Sequence, residues 1–106
     1  MALHCPATLL IAPVPRDAKG VGDLTASLAG ERVLAVVREP GDEVAVHVAA
    51  ALDVPLEDEP ELAEVDAAGP HSALHAIADL HRGETVVVLV PGLAAGETPF
   101  DRRELD

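Results

Sequence analysis

The pattern of apolar and polar positions predicts four strands. Residues 8–12, 32–37 and 85–90 are short, mostly apolar runs without polar alternation. Such runs are typical of strands buried on both faces, as in a parallel sheet that helices cover. The third run has five consecutive apolar residues, four of them β-branched, so we expect it at the centre of the sheet. A shorter strand is predicted at residues 54–56, at an edge, because Pro55 has no amide to donate.

Two helices are predicted in the first half of the chain. Residues 23–30 suit a short helix with Asp23 as its N-cap and a glycine at its end. Residues 42–52 place apolar side chains at the 3.6-residue period of an amphipathic helix. Asp42 or Gly41 is the expected cap of this second helix.

The most regular helical pattern covers residues 70–81. Its apolar stripe consists of Leu74, Ile77, Ala78 and His81. The remaining segments are predicted to be irregular. Residues 16–22 form a polar, glycine-containing loop, and residues 57–66 form an exposed acidic connection. We expect residues 93–106 to be loosely ordered unless Phe100 docks on the domain.

This order of elements predicts the fold class. Strands that alternate with helices indicate an α/β protein with right-handed crossovers. We expect a small three-layer sandwich with a mostly parallel sheet of about four strands, in which residues 1–92 form a single α/β domain and residues 93–106 a C-terminal tail. A chain of 106 residues is small for three layers, so some apolar surface is expected to remain uncovered.

Composition narrows the classes of partner. Nineteen acidic residues against seven basic ones give a formal charge of −12, which repels nucleic acids and anionic lipids. Phe100 is the single residue among phenylalanine, tyrosine and tryptophan, so the chain has almost no aromatic side chains that could stack on nucleic-acid bases. We therefore expect neither a nucleic-acid nor a membrane partner. Cys5 has no second cysteine to pair with, and the start of the chain lacks a signal-peptide pattern, which together predict a cytoplasmic protein.

Six segments, taken in order, resemble the scaffold of one enzyme family. They are residues 8–12 (TLLIA) as an opening strand, 22–25 (GDLT) as a Leu-Thr turn, 34–40 (LAVVREP) as a strand ending where the family has Ser-Ser-Pro, 48–55 (VAAALDVP) as a helix exit, 62–66 (LAEVD) as a Leu-x-Glu segment and 83–90 (GETVVVLV) as the strand before Ser-His-Gly. In this order and spacing the chain resembles a shortened, degenerate member of the histidine phosphatase superfamily, which has the phosphoglycerate-mutase-like fold.

The resemblance implies that the catalytic residues are missing. In the family the opening strand runs into Arg-His-Gly, and Val14 stands at the position of the histidine nucleophile. Glu43 stands at the position of a phosphate-binding arginine, and Pro91 at that of the second histidine. Glu64 alone keeps the type of a family acid residue. The chain is therefore expected to be a pseudoenzyme without a catalytic residue or a cofactor.

The resemblance also implies a role in protein contacts. Family members continue beyond the second histidine with a helix and further strands, which this sequence does not match. The first strand would then be an open edge of the sheet, and exposed edges and apolar faces are association sites. We expect a protein partner, either a second copy in a homodimer or an enzyme that this chain regulates or stabilises as an inactive subunit. The alignment requires Ile11 and Val88 to lie on neighbouring strands.

Two alternative functions are anion binding in the cleft at the ends of the strands and metal binding on the last helix. Arg16, Lys19 and the amides of Gly20 and Gly22 follow the first strand, where many α/β proteins bind phosphate, although no phosphate-loop motif is present. An ordinary loop is the simpler interpretation. A metal site is the second alternative, at three residues spaced by four, which are His71, His75 and Asp79. Solvated side chains on a helix surface are the simpler explanation of that spacing.

Overall fold

A computed structural model describes residues 5–64, 72–93 and 99–105 of the chain. The strands are β1 (Ala7–Pro13), β2 (Val33–Arg38), β3 (Leu56–Asp58), β4 (Thr85–Val90) and β5 (Asp101–Leu105). The helices are α1 (Ala18–Ser27), α2 (Val44–Leu52) and α3 (Ser72–Leu80), and a 3-10 turn, Pro60–Glu64, precedes α3. Strands and helices therefore alternate as far as β4, as the pattern predicts.

The described strands form one sheet in the order β3-β2-β4-β1-β5. β1, β2, β3 and β4 run parallel to one another, and β5 is antiparallel to β1. The predicted α/β class with a mostly parallel sheet is confirmed. Ile11 of β1 pairs with Val88 of β4, so these two residues lie on neighbouring strands as expected.

β4 lies in the middle of the sheet and is buried on both faces. All five residues from Val86 to Val90 have no exposed surface. Val86, Val88 and Val90 point into a core shared with α3, while Val87 and Leu89 point into a core shared with α1 and α2. The absence of polar alternation in this run follows from this position, because neither face meets water.

The positions of the helices follow from the strand order. The connections from β1 to β2 and from β2 to β3 move in one direction across the sheet, and the connection from β3 to β4 moves back. Right-handed crossovers then put α1 and α2 on one face and α3 on the other. The two cores agree with this placement of the helices. Leu24 of α1 and Leu28, the residue after it, belong to the same core as Val48 of α2. Leu74 and Ile77 of α3 belong to the core on the opposite face.

The first helix begins earlier than predicted. Residues 16–22 are not a loop, because α1 starts at Ala18 and includes both Gly20 and Gly22. Its N-cap is Asp17, whose carboxylate accepts a hydrogen bond from the amide of Gly20 at 2.8 Å. Asp23, the predicted N-cap, lies inside the helix. Burial of Leu24 against the sheet outweighs the weak helix propensity of the two glycines.

The third strand is shifted by two residues from its predicted position. β3 covers Leu56–Asp58, so Glu57 and Asp58 belong to the sheet and not to the predicted irregular connection. β3 lies at an edge of the sheet, as expected, and pairs with β2 over three residues. An irregularity between Val33 and Ala35 interrupts the pairing of β2 with β4, and Leu34 at this point is 43% exposed.

The C-terminal strand β5 was not predicted, and it corrects two expectations. β1 is not an open edge, because β5 pairs with it from Ala7 to Ile11. The segment 101–105 is ordered, and Phe100 before it packs against the core under α1 and α2, which is the docking that the sequence allows for. The side chains of β5 are mostly exposed, so backbone hydrogen bonds hold it with little apolar burial.

The capping role of Asp17 can be tested by substitution. We expect Asp17→Ala to lower the free energy of unfolding by about 1 kcal/mol, and Asp17→Asn to change it by only a few tenths. Asp23→Ala serves as the control, and should cost less than Asp17→Ala because it removes only an exposed ion pair with Lys19. Urea unfolding followed by circular dichroism measures all three. A larger loss in Asp23→Ala than in Asp17→Ala would place the helix start where the sequence pattern puts it.

The role of β5 can be tested by removing residues 99–106. We expect this deletion to lower the free energy of unfolding by roughly 2 kcal/mol, because Phe100 and Leu105 leave the cores. It should also cause concentration-dependent association through the freed edge of β1, visible in light scattering. Arg102→Ala is the matched control, since it breaks the ion pair with Glu31 and leaves the strand in place. A deleted chain that stays monomeric and equally stable would contradict the role assigned to β5.

Candidate functional site

The carboxyl edge of the sheet has two adjoining depressions. The first has a volume of about 520 Å³ and lies between the end of β1, the first turns of α1 and the turn after β4. Its lining residues are Pro13, Val14, Pro15, Arg16, Asp17, Gly20, Asp23, Leu24, Pro91, Leu93 and Pro99. The second, of about 390 Å³, is lined by Val14, Glu39, Pro40, Gly41, Asp42 and Pro91. Val14 and Pro91 belong to both and form the boundary between them.

The residues that form this edge come from the ends of three parallel strands. β1 ends at Pro13, β4 at Val90 and β2 at Arg38. Each strand is followed within two residues by a proline, which cannot continue a ladder of amide donors. The carboxyl ends of parallel strands are the usual place for ligands in open α/β sheets. This edge is thus the candidate site, although its lining is chiefly proline, valine, leucine and glycine.

The positions that the family resemblance assigns to catalysis are only partly brought together. Val14 and Pro91, aligned with the two histidines, both line the two depressions. Glu43, aligned with the arginine, directly follows Asp42 and precedes α2. Glu64 is the last residue of the 3-10 turn, and its side chain lies outside the described residues.

The predicted anion-binding residues form the start of α1. Arg16 lines the first depression, but the amide of Gly20 already donates to the Asp17 carboxylate. The Lys19 ammonium lies 2.8 Å from Asp23, and this hydrogen bond, with the attraction between the two charges, raises the pKa of Lys19. Gly22 lies within the helix. An anion at this helix terminus would have to displace or approach a carboxylate, which opposes binding.

Two of the proposed metal ligands, His75 and Asp79, lie on α3, and neither lines a depression at the carboxyl edge. His75 and Asp79 are exposed, and Asp79 accepts a hydrogen bond from Arg82 at 2.8 Å. His71 lies outside the described residues. Among residues 5–64, 72–93 and 99–105, no cluster of three histidine, cysteine or carboxylate side chains could hold a metal ion. Nor is any helix in that part of the chain long and apolar enough to cross a bilayer.

Arg38 and Asp42 shape the second depression. Arg38 donates to Asp58 at 2.7 Å and to the carbonyl oxygen of Asp42 at 2.8 Å, which ties the turn after β2 to β3. Asp42 Oδ1 accepts a hydrogen bond from the amide of Val44, the first residue of α2, at 3.1 Å. The N-cap of α2 is Glu43, one residue after the predicted position, and the Glu43 side chain makes no capping hydrogen bond. Asp42 Oδ2 is buried without a hydrogen-bond partner in the described part of the chain. Gly41 provides the left-handed backbone conformation of this turn, with φ of 94°.

A buried charge cluster lies apart from the depressions. His81 is 8% exposed, and its two ring nitrogens lie 2.8 Å from carboxylate oxygens of Glu57 and Glu84. A neutral imidazole has one N–H, so both contacts are hydrogen bonds only when the ring is protonated. Burial alone would lower the pKa of His81, but the hydrogen bonds and negative charges of Glu57 and Glu84 outweigh it and raise the pKa.

The sequence predicts the burial of His81 in this cluster but not its contact with Glu57. The apolar stripe of residues 70–81 includes His81, and its burial confirms that part of the prediction. Glu57 was predicted to be an exposed residue in an acidic connection, and the strand that turns it toward His81 was not recognised. The strand Leu56–Asp58 has only three residues, which is too short for a periodic pattern to separate a strand from a loop.

No family model, no curated protein and no solved structure matches this chain. The fold and the site therefore define it only as a small α/β domain with an apolar, proline-lined depression at the carboxyl edge of its sheet. The resemblance to histidine phosphatases stays a prediction.

The His81 cluster predicts a specific dependence of stability on pH. Because the folded-state pKa of His81 is raised above its ordinary value near 6.5, its contribution is complete below that pH and is lost as the pH rises through the folded-state pKa. We expect His81→Gln to cost about 1–2 kcal/mol at pH 6, and less at pH 8.5. Urea unfolding of both proteins across this range measures the difference, and His75→Gln, on the exposed face of α3, is the control. A cost for His81→Gln that stays constant with pH would contradict a protonated ring.

Proposed function

We propose that this domain is not a catalyst and acts by binding another protein at the carboxyl edge of its sheet. The observation that carries the proposal is the composition of the edge, where Pro13 ends β1, Val14 and Pro15 follow it, and Pro91 follows β4. Hydrolytic and transfer chemistry needs a nucleophile or an acid and base in mutual contact. The described lining residues include no serine, threonine, cysteine, histidine, tyrosine or lysine.

The polar groups at the edge already have structural tasks. Asp17 caps α1, and Asp23 is paired with Lys19. Asp42 Oδ1 accepts a hydrogen bond from the amide of Val44 at the start of α2. Carboxylates in these roles stabilise the helix termini, which accounts for their presence without chemistry. The family resemblance agrees with this interpretation, because Val14 and Pro91 stand where the family has its two histidines.

The apolar part of the edge suits a protein contact. Val14 and Leu93 are half-buried and Leu24 is 6% exposed, so the first depression has an apolar floor. Prolines form much of its wall, and their fixed φ angles make that wall rigid before binding. A preorganised apolar pocket loses little conformational entropy when it receives a side chain, which is typical of the central contacts of interfaces.

A small-anion module is the alternative function, and the charges at the edge argue against it. Asp17, Asp23, Glu39 and Asp42 contribute four carboxylates to the two depressions, against the guanidinium of Arg16. Phosphate or sulfate would be repelled by this excess. A protein partner, self or heterologous, is the better explanation of an apolar surface in this position.

Site-specific photo-crosslinking tests the proposal in cells that produce the protein. A photoreactive amino acid at Val14 should form a covalent adduct with a partner, or with a second copy. The control position is Glu104, which pairs with Thr8 at the other end of β1 and should give no adduct. Equal adducts from both positions, or none from Val14, would contradict binding at this edge.

The absence of catalysis has its own assay. Purified wild type and Glu64→Gln should both hydrolyse a generic phosphomonoester at the background rate. Hydrolysis by the wild type that disappears in Glu64→Gln would replace the proposal with a phosphatase.

A further inference from the structure

We infer that the partner contributes a segment with one apolar side chain flanked on both sides by lysine or arginine. This inference rests on the proposed function and specifies the chemistry of its partner. The apolar side chain would lie over Val14 and Leu24, in the first depression. The basic side chains would contact the carboxylates that border the two depressions.

The shape of the site favours an anchor of this size. The first depression, at about 520 Å³, is open and has room for a leucine-sized side chain together with the backbone that carries it. Its floor is apolar, and Pro13 and Pro15 have no amide with which to bind an anion or a partner carbonyl. Apolar burial is therefore the main attraction that this floor can offer.

The charges lie on both sides of that anchor. Asp17 and Asp23 border the first depression on the α1 side, and Glu39 and Asp42 border the second. Val14 and Pro91 line both depressions. A partner segment that crosses from one depression to the other over these residues therefore has a pair of acidic residues on each side. Asp42 Oδ2 is buried without a hydrogen-bond partner in the described residues, so Asp42 adds to the negative field of the second depression, and the half-buried Glu39 is the carboxylate that a partner can contact there. Cations are the complement of such a surface.

The same charges argue against a second copy as the occupant. Each chain has a formal charge of −12, so two copies repel one another at low ionic strength. A basic segment of a different protein gains from the same field, both in encounter rate and in orientation. The inference therefore commits to a heterologous, basic partner.

Three synthetic peptides provide the test. The first is Lys-Lys-Gly-Leu-Gly-Lys-Lys with blocked ends, the second has glutamate in place of every lysine, and the third has serine in place of leucine. Binding is followed by the amide NMR signals of Val14, Gly41 and Gly92 of the full chain. We expect the first peptide to bind about tenfold more tightly than either of the others, because it alone supplies both charge and apolar burial. Its binding should weaken as sodium chloride is raised from low to physiological concentration.

Charge variants of the protein provide matched controls. Asp17→Asn keeps an N-cap side chain while removing one charge, so it should weaken the first peptide without unfolding α1. Glu39→Gln should act in the same direction. Glu104→Gln removes an equal charge at the opposite end of β1 and should leave binding unchanged. Together the three variants separate a local contact from the effect of net charge.

The outcomes distinguish this inference from the proposed function. Preference for the lysine-leucine peptide, lost in Asp17→Asn and retained in Glu104→Gln, supports it. Equal binding of the lysine and glutamate peptides overturns it, and so does an equal loss in Asp17→Asn and Glu104→Gln. If no peptide binds while the photo-crosslink from Val14 still forms, the basic apolar segment is wrong and protein binding at the edge stands. If the crosslink also fails, both are wrong.

Discussion

Burial of β4 on both faces is the constraint on which the rest of the structure depends. A strand whose residues from Val86 to Val90 have no exposed surface needs a helix layer on each side and a strand on each flank. β1 and β2 supply the flanks. Because the chain reaches β4 last among the parallel strands, its connection must return across the sheet, and right-handed crossovers then put α3 opposite α1 and α2. A core built from valine, leucine and alanine is sufficient because it is divided between two faces.

The parts of the fold that bury apolar surface could be predicted from the sequence, and the parts that do not could not. β1, β2 and β4 leave apolar runs because their side chains fill the two cores. β5 leaves no such trace, since Asp101–Leu105 is mostly exposed and is held by backbone pairing with β1. The start of α1 was missed for a related reason. Gly20 and Gly22 indicate a loop in the sequence, but a cap at Asp17 and the burial of Leu24 stabilise a helix through them.

In the candidate site, too, the positions next to apolar strands could be predicted and the polar contacts could not. Through the family resemblance, the sequence predicted that Val14 and Pro91 follow neighbouring strands, and both residues line the two depressions at the ends of β1 and β4. It could not indicate the pairing of His81 with Glu57. That contact joins residues 24 positions apart and depends on the register of a three-residue strand. Long-range polar contacts of this kind have no periodic signal.

The residues that end the strands also determine what this edge can bind. Phosphate sites at the ends of parallel strands use free backbone amides as donors. Here Pro13, Pro15 and Pro91 have no amide hydrogen, and the Asp17 carboxylate takes the amide of Gly20. Among the side chains that line the edge, four carboxylates stand against the guanidinium of Arg16, around apolar groups. Such a surface is complemented by donors and by apolar groups, and lysine or arginine beside an apolar side chain supplies both. The excess of carboxylates that makes the edge unsuitable for phosphate is thus the physical reason for proposing a basic partner.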